Sequence, residues 1–286
     1  MLRRSTIQLL RFPFSLFLLP VFLFAVAEAG EDRHHLATWI VFAILHLLVY
    51  PASNGYNSYM DRDETPIGGL QKPLQPTRQL FFVTVGMDVL ALALSYFLIG
   101  EVFAFGILIY ILASRLYSYR RIRLKRFPVI GFLTVFIFQG AWIYFFVQHA
   151  ITAHKALFWM LPAWASSCLI GALYPLTQIY QHHSDLADGV VTLSYKLGKR
   201  GSFVFSGLLF GIATFLIYLT YAEHGREGLI VRFLIFTLPV VIYFGYWMLK
   251  VWKNESAADF RHSLRMNIIA SLCLTLYFLT LILFNF

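Results

Sequence analysis

The chain has 286 residues, 59% of them hydrophobic and only 13% charged, with a formal net charge of +9. Soluble domains carry about 25% charged residues, so this composition, with a mean hydropathy of +0.69, excludes a soluble fold and indicates a polytopic membrane protein. The basic residues fall in short loops between apolar segments, which makes anionic membrane lipids, and not nucleic acid, their expected partner.

A spanning helix needs about 20 apolar residues. Segments of that kind are predicted at about 12–29, 36–57, 79–99, 102–119, 128–148, 156–178, 202–222, 228–249 and 266–285. The first follows Arg3 and Arg4 and ends in Ala27-Glu28-Ala29-Gly30, a pattern similar to a signal peptide. Its length and the span that follows favour retention as the first helix. The expected fold is all-α: nine transmembrane helices in one bundle with a central cavity, residues 1–286 forming a single domain.

The second span ends in Asn54-Gly-Tyr-Asn57-Ser-Tyr-Met-Asp61-Arg-Asp63-Glu64-Thr65. Asn57 and Asp61 are four residues apart and share a helix face. Acids at a membrane boundary are costly unless a positive charge meets them. Magnesium suits oxygen donors of this kind and is usually held by one or two carboxylates plus substrate phosphates. The acid Asp88 lies inside the third span.

The loop after the fourth span, Tyr117-Ser118-Tyr119-Arg-Arg-Ile-Arg123-Leu124-Lys125-Arg126, is the densest basic patch. Lys72, after the first acidic cluster, is a candidate to join it. Basic groups beside metal-binding acids fit a polyanion such as diphosphate. The sixth span ends in Gln178-Ile-Tyr-Gln181-His-His-Ser-Asp185-Leu-Ala-Asp188, whose spacing keeps Gln178, Gln181, Asp185 and Asp188 on roughly one face. The adjacent His182 and His183 point apart on a helix, which disfavours zinc. His46 reads as a hydrogen-bonded core histidine, and Cys168 and Cys273 as buried small hydrophobes.

Assigning loops to alternate sides places 19 of the 23 lysines and arginines on one side. Arg33, Lys155 and Arg226 take the other side, and Arg232 falls within a span. The N-terminus and both acidic clusters are then expected to be cytoplasmic, and Phe286 outside. The acids sit at one face and do not line a path across the bilayer, which disfavours a transporter.

These features together resemble the UbiA-type intramembrane prenyltransferases. The resemblance runs over essentially the whole length and includes Leu10-Arg11-Phe-Pro13 at the first span, Asn57-x-x-x-Asp61, the Tyr-Ser to Leu-Lys loop, and Asp185-Leu-Ala-Asp188-Gly189-Val-Val-Thr192-Leu193. It implies transfer of an isoprenoid chain from a prenyl diphosphate to an aromatic or other lipophilic acceptor. Asn57, Asp61, Asp185 and Asp188 would hold Mg2+. Lys125 would act with Asp61 and Asp185 in the reaction, and Asn57, Lys72, Tyr117, Arg123, Lys125 and Gln181 would bind the donor. Thr65 and Gln181 stand where the family patterns have aspartates. That loss of two negative charges implies weak magnesium binding without diphosphate, with Asp188 ahead of Asp63 and Glu64 as the compensating acid. It also motivates the alternative of a catalytically altered isoprenoid- or lipid-binding protein of the same fold.

Overall fold

Inside a bilayer every backbone polar group must be satisfied within the protein, so long apolar segments cross it as helices or closed barrels. All the named secondary-structure elements are helical among the described residues of this computed structural model, which are 1–152 and 160–284. The helical runs are α1 (Arg4–Asp32), α2 (His35–Asp61), α3 (Arg78–Ile99), α4 (Glu101–Ser118) and α5 (Pro128–Ile151). They continue as α6 (Leu161–Gln178), the short α7 (His182–Ala187), α8 (Leu193–Ala222), α9 (Leu229–Lys253) and α10 (Phe260–Phe284).

Among the described residues, eight of these are long and apolar enough to cross a membrane. The sixth expected span begins outside the described residues, and α6 is its described part. It packs against α1, α5, α8 and α10, and 13 of its 18 residues are buried. A helix surrounded by protein has no need of a lipid-compatible surface, so Ser166, Ser167, Pro175 and Gln178 are tolerated there. Its contact with α5 is close. A Cβ on Gly140 would lie 2.3 Å from the Cα of Ser167, and Ser167 Oγ accepts the Ala141 amide at 2.8 Å. By contrast, α3, α8 and α9 expose Phe97, Phe215 and Ile242 in the manner of lipid-facing surface. Lys155 and the start of the expected sixth span lie outside the described residues, as do Asn285 and Phe286.

Two residues depart from expectation. Arg115, counted with the charges of the basic side, lies inside α4, where its Nε donates to Asp88 of α3 at 2.9 Å and its guanidinium stacks 4.0 Å from the Tyr56 ring centroid. That pairing accounts for an acid within a span. His46 is buried against Phe22, Phe42 and Tyr50, and neither ring nitrogen has a hydrogen-bond partner among the described residues. It is a core histidine held by ring packing, not by hydrogen bonds.

Candidate functional site

Three chain turns meet at one end of the bundle. Helix α2 stops after Asp61 because Arg62 adopts the left-handed conformation (φ 56°), and Asp63 follows on the far side of that turn. The α4–α5 loop turns at Arg123, also left-handed (φ 51°). Helix α7 starts with Asp185 in its first turn, where the helix dipole favours a negative side chain.

A cavity of about 230 Å³ lies between these turns and extends into the bundle. Asn57, Asp61, Asp63, Lys125, Gln181 and Asp185 line its polar end. Phe14, Phe17, Leu18, Val135, Phe138 and Ile170 line it further along the helices. Tyr117 is also in the wall, and its hydroxyl is hydrogen-bonded to that of Tyr174, which accepts from Gln178 Nε2 at 2.9 Å.

The four acids divide into two kinds. Asp61 and Asp188 are bound by cations. Asp61 Oδ1 lies 3.1 Å from Arg123 Nη2, and its Oδ2 accepts from Lys125 Nζ and, at 2.9 Å, from Asn57 Nδ2. Asp188 is ion-paired with Arg123 and, at 3.5 Å, with Arg120. Arg120 also donates to the Met60 and Asp61 carbonyls at 2.6 and 3.1 Å. Burial alone would push the Asp188 carboxyl up, but the hydrogen bond and charge of Arg123 outweigh it and hold Asp188 below the usual range.

Asp63 and Asp185 are different: neither has an ion pair among the described residues. Burial pushes Asp185 up to about 7, Lys125 opposes this, and the charges of Asp63 and Asp61 reinforce it. Asp63 is raised too, by burial first and then by Asp61. These carboxylates line the cavity with cations nearby but with no ion pair of their own among the described residues. The Asn57 amide spends its Nδ2 on Asp61 and Ser118, which leaves its oxygen as an acceptor. Two carboxylates and an amide oxygen are the hard donors that suit magnesium. Among the described residues no three His, Cys, Asp or Glu side chains converge as a preformed cage. The set therefore fits a metal that completes its coordination with water and a bound polyanion, rather than a permanently caged ion.

Of the residues singled out in the sequence, Asn57, Asp61, Tyr117, Lys125, Gln181 and Asp185 line the cavity. Arg123 and Asp188 stand beside it in their ion pairs. Lys72 is not brought there: it is exposed, and its carbonyl accepts from Gln8 Nε2 at 3.3 Å. Asp63, rather than Asp188, is the additional acid on the cavity wall, because Arg123 and Arg120 claim Asp188. Thr65 and Glu64 are exposed and outside the lining. Gln181 donates its Nε2 to the Pro66 carbonyl at 3.1 Å, tying the turn before α7 to the segment after α2. His182 bonds Ser194 at 2.8 Å, and burial, with Lys199, lowers it to about 4, so it serves structure as a neutral ring.

Arg11 lines the cavity but was not among the residues expected at the site. It is buried, left-handed (φ 49°), and donates to the Asn54 and Gly68 carbonyls at 3.0 and 3.2 Å. The signal was present in Arg11-Phe-Pro13: a proline at the start of a new helical turn marks a break where the arginine can turn inward.

The family model described as the UbiA prenyltransferase family matches residues 17–282. No curated protein matches the chain's sequence. Among solved structures, a UbiA homolog from Archaeoglobus fulgidus bound to DMAPP and Mg2+ is similar over 97% of this chain and 99% of that one, with a TM-score of 0.70 and 16% identity. Apo UbiA homolog from Aeropyrum pernix K1 is similar over 92% of this chain and 97% of its own, with a TM-score of 0.67 and 15% identity. A digeranylgeranylglyceryl phosphate synthase is similar over 98% of this chain and 97% of its own, with a TM-score of 0.62 and 19% identity. At these identities the likeness is one of fold.

Proposed function

Because the chain belongs to the UbiA prenyltransferase family, we propose that this integral membrane protein moves an isoprenoid chain from a prenyl diphosphate to a lipophilic acceptor within the cavity described above. The observation that carries the reading is that Asp63 and Asp185 line the same cavity as Phe14, Phe17 and Phe138. A prenyl diphosphate needs both surfaces: oxygen donors and cations for its head, apolar walls for its chain. The A. fulgidus homologue was captured with such a donor and Mg2+, and the donor set here suits the same pair.

In this reading Asp63, Asp185 and the Asn57 oxygen would hold the metal. Magnesium bound with the diphosphate supplies positive charge that stabilises the leaving group. Lys125 and Arg11 add fixed cations beside it. Arg123 positions Asp61, which in turn orients Lys125 and Asn57. The carbon–oxygen bond breaks with its electron pair leaving on the diphosphate. The allylic cation is sheltered from water by the apolar wall, where ring faces favour positive charge. The acceptor's nucleophilic atom forms the new bond and releases a proton.

The charge bias supports a cytoplasmic location for this end of the bundle. Thiol labelling of Ile122→Cys and Glu227→Cys from one side should modify only one of them; equal labelling overturns the orientation.

The activity test uses the purified protein in vesicles made from a membrane lipid extract, which supplies the acceptor, with dimethylallyl, geranyl, farnesyl and geranylgeranyl diphosphates. Magnesium-dependent diphosphate release, lost with chelator and in Asp185→Asn, is the expected result. No release with any donor overturns transfer, and donor binding without release in the presence of a membrane lipid extract favours the binding-protein alternative.

A further inference from the structure

A second chamber of about 220 Å³ lies behind α6, enclosed by α6, α8, α9 and α10. Its lining is apolar apart from Ser206 and Thr237. Thr237 spends its hydroxyl on the Phe233 carbonyl at 2.7 Å, which leaves the Ser206 hydroxyl, without a partner among the described residues, as the one side-chain polar group open to a ligand.

Helix α6 is the wall between the two spaces. Ile170, Tyr174, Thr177 and Gln178 face the site cavity. Leu169, Ala172 and Leu176 face the second chamber. Each set is spaced by threes and fours or neighbours such a step, as two stripes of one helix must be. Leu173 sits at the border, and among the described residues it alone lines both spaces. It is only partly buried, so its side chain is not locked by packing on every side.

Resting on the prenyltransferase reading, we infer that the second chamber receives the distal part of a long isoprenoid chain and that Leu173 is the partition that sets donor length. The site cavity must hold diphosphate, metal, the reacting carbon and the acceptor. Pockets for drug-sized ligands run from about 300 to 1,000 Å³, so the site cavity alone, at about 230 Å³, is small for all of these and a long chain. The second chamber nearly doubles the space, and it does so with walls that suit a hydrocarbon.

The test compares kcat/KM for geranyl, farnesyl and geranylgeranyl diphosphate in vesicles, by diphosphate release. Because a single methylene in an apolar pocket changes discrimination by about tenfold or more, Leu173→Ala is expected to raise the geranylgeranyl-to-geranyl ratio about tenfold. Leu173→Trp is expected to lower it by a similar factor. Should the tryptophan variant fail to fold, Ala270→Leu fills the chamber from α10 and is expected to lower the same ratio while leaving geranyl turnover unchanged. Ratios within about twofold of wild type in Leu173→Ala and Ala270→Leu overturn the inference. So does an Ala270→Leu protein that loses a co-purified membrane lipid while keeping the wild-type ratio, since the occupant is then a lipid acyl chain. A wild-type protein inactive with every donor overturns the function itself, and this inference with it.

Discussion

Arg123 and Asp61 are 62 residues apart in the chain, and Nη2 of the first lies 3.1 Å from Oδ1 of the second. The same guanidinium donates to the Asp188 side chain and, at 2.9 Å, to its carbonyl. One side chain thus joins the end of α2 to the end of α7, and both carboxylates raise the affinity of Arg123 for its proton despite its burial. Its left-handed backbone is uncommon for a residue with a Cβ and persists where the surroundings hold it.

Removing one partner of a buried pair costs about 3–5 kcal/mol where the other charge is left uncompensated; here Lys125 stays on Asp61 and Arg120 on Asp188, so the cost of losing Arg123 falls below that range. Arg123→Ala is therefore expected to lower the melting temperature and abolish most turnover. Arg123→Lys should recover little, because an ammonium cannot reach two carboxylates in the fork geometry of a guanidinium. Thermal melts with turnover on the same preparations check this; a stable, fully active alanine variant contradicts it.

The two kinds of acid should separate in mutagenesis. Asp63→Asn and Asp185→Asn remove open metal donors and are expected to cut turnover by about 10²–10³-fold with little change in stability. Asp188→Asn removes the partner of Arg123 and Arg120 and should show mainly as lost thermal stability, with turnover down about tenfold or less. An Asp188 variant more damaged in turnover than Asp63→Asn would reverse the assignment.

Magnesium binding should be linked to pH through Asp185. Its ordinary value is 3.8 and burial lifts it to about 7. In that window the folded, metal-free protein keeps a proton that the unfolded chain gives up. This group therefore weakens the empty fold as pH rises from 3.8 through 7, and adds no further change above. Metal requires the ionised form, so binding at pH 6 should release a proton and be weaker than at pH 8. Calorimetric titration in buffers of different ionisation enthalpy reads the proton directly; equal affinity and no proton release at pH 6 would count against it.

Gln181→Asp restores an acid of the family pattern, but at a position whose amide holds Pro66. The added charge beside Asp185 should tighten magnesium binding to the donor-free protein. The carboxylate cannot donate to the Pro66 carbonyl, so the metal-free protein should melt at a lower temperature, by the equivalent of about 1–3 kcal/mol for an acceptor left unmade. Magnesium should restore part of that loss. Titrations and melts with and without metal test both halves, and an unchanged affinity means that position 181 does not reach the ion.

Gly140→Ala should be destabilising, because the new Cβ meets the Ser167 backbone at 2.3 Å and helices α5 and α6 must part. Overpacking of this kind costs about 1–3 kcal/mol. Gly86→Ala is the control: nothing lies within 4 Å of its Cβ, and alanine is the better helix former. Thermal melts should move in opposite directions for the two.

Much of this arrangement could be read from the chain. Hydropathy marks most of the spans, and Asn57, Asp61, Lys125, Gln181 and Asp185 stand out because polar side chains at the end of an apolar run need a reason. What could not be read was the choice between near neighbours. By position Asp188, one turn beyond Asp185, was the better donor, ahead of Asp63. Only the Arg62 turn puts Asp63 on the cavity wall, and only Arg123, folded back from another loop, withdraws Asp188. Lys72 was named for its place beside the first cluster, yet the chain leads it outward to Gln8. Arg11 was hidden because a charge near a span end has an ordinary explanation as an orientation signal.

The polar character of α6 has a consequence for how the protein is made. Insertion into a bilayer favours Leu, Ile, Phe and Val and penalises polar side chains at mid-helix. Helix α6 presents Ser166, Ser167, Pro175 and Gln178, all of them covered only once α1, α5, α8 and α10 are in place. Some of those neighbours are synthesised after it. The wall between the two spaces therefore carries polar side chains whose cover is completed only by helices that follow it out of the ribosome.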